Sequence, residues 1–172
     1  MTRPKPHTVS DARRREALAA MRAMRSEGAP MLVGVARVWD AGQPLAPLFA
    51  DDLAAAGARE IAEPPERPWR PLAPEEAVTL LAFRRYRSLA YNWPRGDPAQ
   101  HRLVAQRLAD ALGVARAWCN TDVTRGVDPV TLTLPPGCSY GWTGGLTKHT
   151  FEEVVLLEGD GFAALALWAD ED

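Results

Sequence analysis

Hydrophobic positions follow a helical period over the first two thirds of the chain and a strand period over the last third. After Ser10, a residue type that caps helix starts, Leu18, Met21 and Met24 recur at helical spacing until Gly28 and Pro30, which predicts a helix over residues 10–27. Residues 31–39 are Val-rich and bounded by turn formers, so they read as a strand. A short helix is expected over 49–59, opened by Asp51 and Asp52. Pro74, Glu75 and Glu76 start another, whose apolar residues Val78, Leu81, Ala82, Phe83, Tyr86 and Leu89 cover much of its circumference and predict burial; residues 92–96 end it.

The best-marked helix follows. Asp97 is its cap, Pro98 its first residue, Gln100 stands where a capping box needs it, and Gly113 closes a stripe of Leu103, Val104, Leu108, Ala111 and Leu112. From there the period changes, and residues 114–119, 130–134, 151–157 and 162–168 read as strands. The last two are joined by Glu158, Gly159, Asp160 and Gly161, a hairpin signal, and are apolar on both faces, so that hairpin belongs inside a covered sheet. Helices first and strands last predict an α+β fold: N-terminal helices packed on a mainly antiparallel C-terminal sheet that ends in a hairpin. One domain over residues 1–172 is expected, with 1–9 flexible.

Residues 60–74 interrupt this pattern with Pro64, Pro65, Pro68, Pro71 and Pro74. The last four recur every third residue, the turn of a polyproline II helix, which could present Trp69 and Arg70 to a partner. A stiff internal connector with Trp69 docked on the core explains the same residues without a partner and is preferred.

Composition adds limits. The chain has 172 residues, 47% hydrophobic and 24% charged, enough to bury a core and too apolar for disorder. No apolar run is long enough for a membrane span, no secretory h-region follows Met1, and Cys119 and Cys138 are too few for a disulfide scaffold; a cytoplasmic protein with no membrane contact is expected. Of 20 basic residues only Lys5 and Lys148 are Lys, a bias of GC-rich bacterial genomes that makes Arg content poor evidence of function. The net charge of −2 divides into +5 over residues 1–116 and −7 over 117–172.

Candidate chemistry gathers in two places. Residues 134–149 form a long connection between strands, with four Gly, Cys138, Tyr140, Trp142, Lys148 and His149. Its Gly144, Gly145 and Lys148 do not make a phosphate loop, because Lys follows Thr147 and a strand follows both. Two Cys and three scattered His give no zinc spacing, and no cofactor is expected. A Cys138 nucleophile with His149 as base is the enzymatic alternative. His101 reads as a surface or boundary histidine, and 108–120 lacks the second helix of a helix-turn-helix.

The second place is the hairpin. Glu152, Glu153, Glu158, Asp160 and Asp170, with the tail, are expected to make one sheet edge acidic and attractive to a basic protein. In size and α+β style alone the chain resembles bacterial immunity proteins. The leading expectation is therefore a non-enzymatic inhibitor or immunity-type binding domain that uses the acidic edge and the 134–149 loop. Nucleic-acid binding through Arg13, Arg14, Arg15, Arg22 and Arg25 is the other alternative.

Overall fold

A computed structural model describes residues 9–26, 31–89, 93–121, 126–136, 146–149 and 151–170. The expected α+β fold is present: four helices and a five-stranded antiparallel sheet. Helix α1 (Asp11–Arg25) begins where the Ser10 hydroxyl accepts from the Arg13 amide (3.3 Å). Arg22 and Arg25 in its last turn suit the negative end of the helix dipole. Strand β1 (Met31–Val38) follows, then a 3₁₀ turn (Pro47–Phe49) running into α2 (Ala50–Ala55).

Helix α3 (Pro74–Tyr86) starts with the Glu76 carboxylate accepting from the Ala73 amide (2.8 Å). Helix α4 (Pro98–Leu112) starts with the Asp97 carboxylate accepting from the Ala99 amide (3.1 Å) and stops at Gly113, whose φ of +62° is the left-handed conformation a helix stop requires.

The sheet order is β1-β5-β4-β3-β2, with β2 at Arg70–Leu72, β3 at Arg116–Cys119, β4 at Phe151–Gly159 and β5 at Phe162–Asp170. The hairpin predicted from its glycines therefore forms the middle of the sheet. Residues alternating along these strands feed two separate cores. Val155, Leu157, Ala164, Ala166 and Trp168 face α1, α3 and α4. Val154, Leu156, Leu165, Leu167 and Trp118 face the other way, onto Phe49, Leu53, Ile61 and Trp69. The covering of both faces is the reason these strands carry apolar residues at successive positions.

Of the two expectations for the connecting segments, one changes. Residues 60–74 are the internal connector: Trp69 is buried with its indole N–H donating to the Ala62 carbonyl, residues 64–68 turn, and β2 pairs with β3. They do not present a polyproline ligand. Residues 130–134 are not a strand. The Asp128 carboxylate accepts from the amides of Val130 (2.9 Å) and Thr131 (2.7 Å), and this turn overrides the strand preference of Val130 and Thr131. Those hydrogen bonds, Thr131 foremost, hold the Asp128 carboxyl below its usual range.

Candidate functional site

The hairpin acids do not form an edge. Strand β4 lies between β3 and β5, and Glu152 and Glu153 point to opposite faces, 2% and 0% exposed. Each is committed inside the fold. Glu152 accepts from the amides of Leu146 and Thr147 and from the Thr147 hydroxyl, all at 2.8 Å, and so anchors the end of the 134–149 connection. Glu153 pairs with Arg84 of α3 and accepts from the Thr121 hydroxyl (3.0 Å). Glu158 pairs with Arg116 across from it on β3; burial pushes its carboxyl up, and the Arg116 charge opposes that.

The remaining acids are dispersed. Asp160, in the exposed hairpin turn, pairs with Arg13 (2.8 Å), and Asp170 is half-buried opposite Phe151. Sequence reasoning placed these carboxylates correctly along the hairpin but assigned them to solvent. A charged residue inside a strand that is apolar on both faces is the signal that pointed to buried partners instead.

Of the 134–149 residues, Lys148 is exposed and His149 half-buried, its amide donating to the Thr147 hydroxyl (3.1 Å). Cys138, Tyr140 and Trp142 lie outside the described residues, and so does any pairing of Cys138 with His149. Cys119 is a buried, unbridged thiol whose S–H faces the Thr121 carbonyl (3.2 Å), with an Arg70 guanidinium N–H directed at its sulfur (3.5 Å).

His101 is buried, contrary to expectation, because α3 and α4 pack along their lengths. Arg85 can only donate, so its contact with Nδ1 (2.8 Å) makes that nitrogen an acceptor and leaves the proton on Nε2, which donates to the Arg95 carbonyl. Burial first, and the Arg85 charge as well, hold its pKa below the ordinary 6.5, while the Arg95 carbonyl and Asp97 pull the other way. Arg85 also donates to the Ser26 carbonyl (2.7 Å), tying α3 to the end of α1. This network joins helices and offers no surface to a ligand.

An open surface lies at the β1 edge of the sheet. Strand β1 pairs only with β5, and among the described residues nothing pairs with its outer side. The Trp39 amide donates to the Gly161 carbonyl (3.0 Å) in register with the β1–β5 ladder. Because bonding alternates along an antiparallel pair, Val33, Val35 and Arg37 turn their backbone groups to β5, while Gly34, Ala36 and Val38 turn theirs outward.

Helix α1 borders this edge. Arg14, Leu18, Arg22 and Arg25, spaced four, four and three apart, form one stripe of the helix beside the strand. Between them runs a recess of about 640 Å³ from Asp11 and Asp40 to Leu18 and Val38, continued by one of about 190 Å³ beside Gly34, Arg22 and Arg25. Leu18 and Val38 are 38% and 44% exposed, two of the five large hydrophobics left open among the described residues. Of the arginines named for nucleic-acid binding, Arg13 is engaged by Asp160 and Arg15 lies off the stripe; Arg14, Arg22 and Arg25 make no ion pair among the described residues.

No described helix is long and apolar enough to cross a membrane, and no three His, Cys, Asp or Glu among the described residues gather as metal ligands. Comparison with family models, with curated proteins and with solved structures finds no match to the chain.

Proposed function

We propose that the chain is a protein-binding domain that takes an extended segment of another protein as an added strand on β1. The observation that carries this reading is the unpaired outer side of β1, with the outward backbone groups of Gly34, Ala36 and Val38 beside a recess walled by α1. An open strand edge is a template for main-chain hydrogen bonding, and the adjoining recess can select side chains at alternate positions of the guest. The reading keeps the class expected from the sequence and moves the interface. Glu152, Glu153 and Glu158 are occupied inside the fold, which takes these three carboxylates out of reach of a basic partner.

The test is selection of displayed ten-residue peptides on the wild-type protein, with counter-selection on Ala36→Pro. That substitution removes an N–H that faces away from β5, so it blocks an added strand while leaving the existing ladder. Val38→Lys is a second block, since an edge lysine disfavours strand pairing. Enriched peptides should slow amide exchange at Gly34, Ala36 and Val38 and lose binding to both variants. Peptides that bind both variants undiminished, or that protect only amides elsewhere, refute the reading.

A further inference from the structure

Resting on the strand-addition reading, we infer that the guest segment carries carboxylates level with Gly34 and an apolar side chain level with Ala36 and Val38. The recess is not uniform. At the Gly34 end its wall is Arg22 and Arg25, at its middle Leu18, and at its far end Arg14 stands with Asp11 and Asp40. Arg37, which also borders it, is held by Asp52 on α2 (2.6 Å) and so is excluded from the reading of a guest. The cationic pair is therefore confined to one end and the exposed apolar pair, Leu18 and Val38, sits next to it.

The two spacings agree. Leu18 and Arg22 are one helical turn apart, about 6 Å along the axis. Alternate residues of a strand, which share a face, are about 6.8 Å apart. A strand laid beside Gly34 and Ala36 thus presents one same-side residue to Arg22 and Arg25 and the next to Leu18. Gly34 lets the Arg25 stem lie over the strand, because a β-carbon there would press on that stem and on the Met31 sulfur. Gly34 to Val38 is the stretch of strand that the guest pairs with. Its signature is acidic-x-apolar on alternate positions.

The experiment uses fluorescein-labelled, end-capped ten-residue peptides of alternating Thr, with Glu and Leu on the other positions in adjacent pairs. Control peptides replace Glu by Lys, Glu by Gln, or Leu by Ser, and a labelled dT20 oligonucleotide serves as a phosphate probe. Anisotropy at low salt should show the Glu/Leu peptide bound in preference to all three controls. Binding should fall by at least about tenfold in R22E/R25E, since each exposed attraction is small but here becomes a repulsion.

Equal binding of the Gln/Leu peptide, still lost in Ala36→Pro, overturns the acidic signature and leaves strand addition standing. Binding of the Glu/Leu peptide that survives both Ala36→Pro and Val38→Lys overturns strand addition itself. Tighter binding of dT20, lost in R22E/R25E and untouched by Ala36→Pro, reassigns the arginines to a phosphate backbone and overturns the inference.

Discussion

Replacing Glu153 by Gln removes one charge from the core without changing its shape. The carboxylate is 0% exposed and its partner Arg84 is 1% exposed, so solvent screens neither side chain and no discount for exposure applies. The introduced amide keeps an oxygen for the Thr121 hydroxyl but leaves the Arg84 cation without its Glu153 counter-charge. Breaking a buried pair in this way costs about 3–5 kcal/mol. For a chain of this length that lowers the thermal midpoint by about 10 °C.

Arg84→Met is the complementary perturbation, with a signature of its own. It leaves a buried carboxylate that can shed its charge by taking up a proton, so its deficit shrinks as pH falls, by at most about 1.4 kcal/mol per pH unit. Thr121→Val removes one hydroxyl donor and should cost about 1–3 kcal/mol, with little dependence on pH. Urea unfolding of the three variants and the wild type at pH 8 and pH 5.5, followed by tryptophan fluorescence, measures all of this. The buried residues Trp39, Trp69, Trp118 and Trp168 report on both cores. A Glu153→Gln protein within about 1 kcal/mol of wild type, or an Arg84→Met deficit that is the same at both pH values, would show that the pair does not hold α3 to the sheet.

Two further outcomes follow from the packing. The lowered His101 pKa means that its neutral form supports the fold: this contribution is complete above the ordinary 6.5 and is lost as pH falls through 6.5 toward the folded-state value. Glu158, raised above 4.5, acts with the opposite sign, its contribution being lost as pH rises through its folded-state value. Unfolding free energies of wild type and His101→Gln, compared from pH 7.5 to 5.5, should show a shallower slope in the variant; parallel slopes refute the assignment. Gly159→Ala places a β-carbon against the Leu112 carbonyl, a backbone atom with no room to retreat, and should cost about 1–3 kcal/mol in urea unfolding. An unchanged midpoint would mean that the hairpin turn and α4 do not meet.

Features with local causes were legible in the sequence. Asp97, Pro98 and Gly113 mark α4 by chemistry acting within a turn or two, and Gly159 and Gly161 mark the hairpin in the same way. Features caused by distant partners were not. Strand β2 holds Pro71, which lacks a donor and is tolerated because β2 is an edge, and its partner Trp118 is far along the chain. Glu153 and Arg84 are 69 positions apart, and neither residue's neighbours announce the other. Strand preference misled at Val130 and Thr131 because the deciding residue, Asp128, precedes them and acts through its side chain. At the candidate site the spacing of Arg14, Leu18, Arg22 and Arg25 is visible in the sequence. That the stripe borders an unpaired strand depends on the sheet order, which no local pattern encodes.

Placing the C-terminal hairpin at the centre of the sheet sets an order of events during synthesis. Helices α1, α3 and α4, the connector and strands β1, β2 and β3 are all translated before β4 and β5, yet β1 has no other strand to pair with and both cores lack their common wall until those two arrive. The growing chain can form helices and the short β2–β3 pair but cannot close the sheet, and the apolar faces of α1 and α3 wait uncovered. Ribosome-bound chains stopped before residue 151 should therefore engage holding chaperones, and chains released beyond residue 170 should not.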